Sequence, residues 1–182
     1  MSSADSLPAP RVLGRFRLIN TWKTIDSASA DDLVAFWLRE SALPSEERAR
    51  ERLSEVVLYA RDETGAVCAV CTAYVATLAS IGQPMYHYRS FVGAAWRNTT
   101  LARSMLLETV RFLADYAAAH DFPCVGVVME LENPRFRDAL SSMPVWRAAG
   151  ARFVFIGKSS RGFDLRIHYF RGARLKPAST LT

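Results

Sequence analysis

The period of the apolar positions changes several times along the chain, and each change predicts an element. Arg15 to Trp22 (RFRLINTW) alternates apolar with polar and predicts a first strand. Ser29-Ala30-Asp31-Asp32 is read as a capping-box pattern, with Leu33, Phe36 and Trp37 following at helical spacing. Pro44 and Ser45 open a second, highly charged helix through Leu53. Val56 to Arg61 predicts a strand, Asp62-Glu63-Thr64-Gly65 a hairpin turn, Ala66 to Leu78 a longer strand and Met85 to Val92 another. The helical period then returns. Ala102, Leu106, Val110, Leu113 and Ala117 form one apolar stripe, with Ser104, Glu108, Arg111 and Asp115 opposite.

Pro123 stops that helix, and Cys124 to Met129 predicts a buried strand ending in Glu130-Leu131-Glu132-Asn133-Pro134. A short helix starts at Pro134, is interrupted near Pro144 and ends at Gly150, before Phe153 to Gly157 and Phe163 to Phe170 close the chain as a hairpin. The order is β-α-α-β-β-β-α-β-α-β-β, an α/β fold with a mixed, largely antiparallel sheet flanked by helices. The expected organisation is a flexible leader over 1–14, one domain over 15–176 and a tail over 177–182. On the last strand, Phe163, Leu165, Ile167 and Tyr169 are expected on the core face, with Arg166 and His168 toward water.

Composition narrows the class. Half of the 182 residues are apolar and 23% are charged, which suits an ordered globular domain. The net charge of +5 is concentrated: Arg147 to Lys176 holds eight Lys/Arg against Asp164 alone, so the rest of the chain is slightly acidic. Local basicity suggests an anionic ligand or face more than general nucleic-acid binding, and no stacking motif accompanies it. Three cysteines give no disulfide framework. Thr64 to Tyr88 lacks charge, but its glycines, threonines and Pro84 suit two buried strands better than a membrane span. The opening MSSADSLPAP lacks the pattern of a signal peptide, and a cytoplasmic setting is expected.

Two tempting motifs fail on geometry. Cys68 and Cys71 match C-x-x-C, yet residues three apart on a strand point to opposite faces. Gly157-Lys158-Ser159-Ser160 resembles the end of a P-loop but precedes a strand. His87, His120 and His168 are dispersed, and no metal site is expected. The informative stretch is Trp96 to Ala102, a turn between a strand and the long helix. Unpaired N–H groups at a helix start attract anions, and Arg97 adds a permanent cation. The same turn reads equally as an ordinary corner with Asn98 or Thr99 as the cap and Arg97 in water.

The order of elements resembles the GNAT superfamily of acyl-CoA-dependent N-acyltransferases. Arg97-Asn98-Thr99-Thr100-Leu101-Ala102 occupies the place of the family's pyrophosphate loop, Gln/Arg-x-x-Gly-x-Gly/Ala. Asn133 follows the next strand, as a family asparagine commonly does. Trp146 to Phe153 resembles the family's Tyr-x-x-x-Gly-Phe ending. The likeness runs from Arg15 to Phe170. It implies acetyl-CoA or another acyl-CoA as co-substrate, held by Arg97 to Ala102 and Asn133, with a backbone N–H near Phe91 or Val92 on the thioester carbonyl. It also implies an amine acceptor, either a small molecule or a protein, and leaves room for a homodimer; on the composition above, no membrane or nucleic-acid partner is expected.

His87, Glu130 and Glu132 are candidate general bases, of which one is expected. The two glutamates end a buried strand, where desolvation would raise a carboxyl pKa, or they are simply solvated loop acids. Thr100 departs from the usual glycine, and Trp146 stands where a family tyrosine often protonates the leaving thiolate. Tyr86, Tyr88 and Tyr169 are replacement acids or packing residues. The alternative function is a catalytically silent module of the same fold that binds a CoA ester or a protein partner.

Overall fold

The computed structural model describes residues 7–175. The expected tail at 177–182, and the first six residues of the expected leader, lie outside the described residues. The leader ends sooner than its sequence suggests. Arg11–Leu13 forms a strand, β1, which pairs antiparallel with β2, Phe16–Asn20. The remaining elements in chain order are helix α1 (Ser27–Arg39), α2 (Glu46–Arg52), β3 (Val56–Arg61), β4 (Val67–Leu78) and β5 (Gln83–Val92). After them come α3 (Leu101–Ala119), β6 (Gly126–Leu131), α4 (Pro134–Leu140), β7 (Val145–Ala148), β8 (Ala151–Lys158) and β9 (Asp164–Tyr169).

Hydrogen bonding orders the strands β1-β2-β3-β4-β5-β6-β9-β8-β7. β5 and β6 run parallel, with Tyr86 opposite Val127 and His87 opposite Val128. The pairs β1–β2, β2–β3, β3–β4, β6–β9, β9–β8 and β8–β7 are antiparallel. The sheet is therefore mixed and largely antiparallel, as expected.

Contacts group the chain into two compact units: residues up to Ala73 with Arg89–Thr109, and Tyr74–Tyr88 with the residues from Val110 on. In the first, α1 lays Leu33, Val34, Phe36 and Trp37 against Val56, Tyr59, Val67 and Val70. The start of α1 corrects the capping-box reading. Asp26 is the cap, accepting the Ser29 N–H at 2.8 Å while the Ser29 hydroxyl donates back at 2.8 Å. Ser29 is thus an inner residue of the box, and its hydroxyl also meets Tyr59 at 3.0 Å. Ser45 caps α2 as expected, and Asp62 closes the β3–β4 turn by accepting the N–H groups of Thr64 and Ala66. The buried stripe of α3 begins at Leu101, continues through Met105 and Leu106, and leaves Ala102 exposed.

In the second unit, Leu78, Met85, Val125, Val128 and Ile167 form one core cluster. Two sequence expectations fail here. Residues 145–148 are a strand and not the end of a helix: a two-residue turn with Ala149 at φ 42° and Gly150 at φ 89° folds β7 back on β8. Arg166 does not face water. It is 1% exposed, and its Nη2 donates to the Leu140 carbonyl at 2.8 Å. The Leu140 carbonyl at the end of α4 meets this face of β9 at Arg166, whereas Tyr169, expected on the core face, is 38% exposed, so a period of two does not tell core from solvent here. Arg166 Nε and Nη1 find no hydrogen-bond partner among the described residues, and burial pushes the guanidinium below its ordinary pKa.

Strands β6 and β9 approach closely at Gly126. A Cβ there would run into the His168 carbonyl oxygen and lie 3.0 Å from the Tyr169 Cα. Both obstacles are backbone and cannot rotate away. Gly126→Ala is therefore expected to lower the unfolding free energy by about 1–3 kcal/mol, the usual range for overpacking. Urea midpoints at unchanged m-value measure it, and an unchanged midpoint would mean that the two strands can part at no cost.

Candidate functional site

β5 delivers the chain to α3 through a short, tightly tied corner. The Gly93 N–H donates to the Cys68 carbonyl of β4 at 2.9 Å, and Ala94–Trp96 makes one 3-10 turn. Arg15 lies 4.4 Å from the Trp96 ring centroid, and Phe16 meets the same indole edge-on at 5.4 Å. Asn98 then takes a left-handed conformation, φ 66°, a region that asparagine tolerates better than most side chains. Thr99 is the residue that ties the helix start, since its hydroxyl donates to the Trp96 carbonyl at 2.8 Å and accepts the Leu101 N–H at 3.2 Å.

Beyond that contact, the first turn of α3 has N–H groups with no carbonyl of their own helix to pair with. Asn98, Thr99, Thr100 and Ala102 are exposed, whereas the Leu101 side chain is buried. Of Arg97 to Ala102, Leu101 therefore offers structure and the others offer a face. Arg97 is exposed as well, and it lies back along β5. Its Nε donates to the Val92 carbonyl at 3.2 Å, and its guanidinium is 5.5 Å from the centroid of the half-buried Phe91 ring. An exposed cation beside exposed helix-start donors suits a phosphate group.

The second cluster lies at the end of β6, in the other unit. Arg161, in the β8–β9 turn, donates to both Glu130 and Glu132. Burial pushes the Glu130 carboxyl up, but hydrogen bonds from Arg161 and Ser159, with the charges of Arg161 and His87, outweigh it and hold the group below its ordinary value. The desolvation expected of Glu130 is real; the net direction is the reverse. His87 stacks on Tyr74 at 4.9 Å. Asn133 caps α4, its side-chain oxygen accepting the Arg135 N–H at 3.0 Å. Trp146 sits between Phe136, edge-on at 5.3 Å, and Phe153, stacked at 5.5 Å. It is a packing residue with no acidic proton to give.

Cys68, Cys71 and Cys124 are all buried, and none of them is in a disulfide. Burial pushes the Cys68 thiol up to about 12 and the Cys124 thiol up to about 11. Among the described residues no group of three His, Cys, Asp or Glu could hold a metal, and no helix is long and apolar enough to cross a membrane.

No family model and no curated protein matches the chain. Solved structures do. The ribosomal-protein-S5-alanine acetyltransferase of Vibrio fischeri superposes with a TM-score of 0.60 at 9% identity, covering 92% of this chain and 100% of that one. The ribosomal-protein-S18-alanine N-acetyltransferase of Escherichia coli gives 0.51 at 12% identity, over 90% of this chain and 98% of that one. An acetyltransferase of the GNAT family from Streptococcus pneumoniae gives 0.51 at 11%, over 84% and 96%. At such identities the likeness is one of fold, and the fold is that of the GNAT acetyltransferases.

The Arg161 clamp has a pH signature. Because the folded state holds Glu130 below its ordinary value of 4.5, the stabilisation is fully present above that value and is lost as pH falls through the folded one. Arg161→Ala should raise the Glu130 titration midpoint, followed by carboxyl-carbon NMR. The stability difference from wild type should be no more than about 1 kcal/mol near neutrality, because the pair is partly exposed, and should vanish in acid. An unmoved Glu130 midpoint would show that the clamp is not formed in solution.

Proposed function

We propose that the chain is an acyl-CoA-dependent N-acyltransferase, with the pyrophosphate of acetyl-CoA or another acyl-CoA bound at Arg97 to Ala102. The observation that carries this reading is Arg97 beside exposed helix-start donors directly after a strand, within a GNAT fold. Acyl transfer would proceed by attack of a neutral amine on the thioester carbonyl, collapse of the tetrahedral intermediate, and departure of the thiolate. The amine's proton goes to a base, and the sulfur takes one from solvent or an acid.

The chain's own groups set limits on that chemistry. Glu130 is a weak base while Arg161 holds it, and Glu132 shares the same clamp. His87, close enough to influence Glu130, is the third candidate. Trp146 cannot protonate a thiolate, whose pKa of roughly 8.5 lets it leave with little help. A small-molecule or protein amine is the acceptor, drawn with CoA thioester from the cytoplasm. Neither a membrane nor nucleic acid is required, and a homodimer is compatible with the reading.

A second reading, a silent module of this fold that binds a CoA ester or a protein partner, is favoured by Thr100, by Trp146 and by the clamped carboxylates. Calorimetric titration with acetyl-CoA and longer acyl-CoAs tests binding, and turnover over a panel of amines separates the two readings. Arg97→Ala should weaken CoA binding by about 1–3 kcal/mol, or roughly 5- to 150-fold, the range for a charge-assisted hydrogen bond. Unchanged affinity in a folded variant would remove the turn from the binding site.

A further inference from the structure

Glu40 stands at an electrostatically poor place. It follows the last residue of α1, where the helix dipole is negative and a carboxylate is disfavoured. A neighbouring Arg39 offers only a loose partner, its Nε 3.8 Å from Glu40 Oε1. The structure shows what compensates. Glu40 Oε2 accepts the backbone N–H of Ala94 at 2.9 Å, 54 residues away and at the root of the corner between β5 and α3.

The neighbouring residue is held as tightly. A Cβ on Gly93 would lie 3.2 Å from Phe36 Cε2, 3.3 Å from the Cys68 oxygen and 3.3 Å from Glu40 Oε1. The backbone at 93 and 94 is therefore pressed against the last turn of α1, with one N–H given to β4 and the next to Glu40. Phe36 of the same turn meets Phe91 edge-on at 5.8 Å, and Phe91 is the ring over which Arg97 lies. The final turn of α1 thus backs both the corner's first peptide and the platform under Arg97.

We infer that Glu40 is a positioning residue for the anion-binding turn: it fixes where the chain leaves β5, and so where Arg97 and the α3 donors stand. The inference rests on the reading of that turn as the CoA site. The role needs an acceptor oxygen and not a charge, which next to a bound phosphate would be repulsive. This separates positioning from charge. Glu40→Gln keeps an oxygen at the same reach, Glu40→Asp keeps the charge but withdraws it by one methylene, and Glu40→Ala removes both.

The experiment measures two things in the full chain: hydrogen exchange at the Ala94 amide without ligand, and the Kd for acetyl-CoA by calorimetry. In E40A and E40D, exchange at Ala94 should accelerate about tenfold or more and Kd should rise about tenfold, whereas E40Q should stay within about threefold of wild type or bind tighter. If E40A fails to fold, E40D carries the same comparison. Unchanged exchange in E40A or E40D would mean that the contact is not made, and fast exchange with wild-type Kd that the contact does not position the turn. An E40Q as weak as E40A would make charge the requirement. Each of these overturns the inference while leaving the CoA site intact. A wild-type protein that binds neither acetyl-CoA nor a longer acyl-CoA would overturn the site itself, and the role of Glu40 with it.

Discussion

Parallel neighbours in a sheet cannot be joined by a tight turn, and the parallel pairing of β5 with β6 imposes its consequences on the middle of the chain. Everything between Val92 and Gly126 must return to the starting end of the sheet, and α3 is that return. The helix must begin where β5 ends, so its unpaired N–H groups fall at the end of a strand. The corner has no freedom to wander, because Cys68 and Glu40 hold its first two peptides and Thr99 closes its last. A helix start with unpaired backbone donors follows from connectivity before any residue is chosen for chemistry. Arg97 then adds the charge.

What could be read from the sequence was whatever depends on near neighbours. The α1 stripe, the Ser45 cap, the Asp62 turn and the corner at Arg97 all rest on residues within a few positions of one another. The errors share a different cause. Strand β1 has only three residues and too little pattern to see, while β7 is revealed by the turn at Ala149-Gly150 and not by its own composition. The period of two puts Arg166 toward water because its burial depends on Leu140, 26 residues away. Two further contacts, Glu40 with Ala94 and Arg161 with Glu130 and Glu132, also span long stretches of chain. Glu40 did carry a faint signal, an acid at the wrong end of a helix.

The basic C-terminal segment looks different once its partners are known. Lys158 is paired with Asp164 at 2.8 Å, Arg161 is divided between two glutamates, and Arg166 is buried beneath α4. Among the described residues of that stretch, Lys158, Arg161 and Arg166 thus answer to groups inside their own unit. Charge that looks like an outward field in the sequence is in part structural. Arg166 is the costly member: a buried guanidinium with one hydrogen bond recovers little of the hydration it has lost. Its single hydrogen bond fits a role in seating α4, since the carbonyl it binds belongs to the last residue of that helix.

The buried thiols have a practical consequence. A thiol reagent attacks the thiolate, and in the folded chain Cys68 and Cys124 are both covered and kept protonated at physiological pH. Labelling must therefore wait for the backbone around each to open. Cys68 and Cys71 lie in the first compact unit and Cys124 in the second. The chain carries its own pair of clocks: the order in which these sulfurs become modified, read by mass spectrometry after timed quenching, records which half of the molecule breathes first.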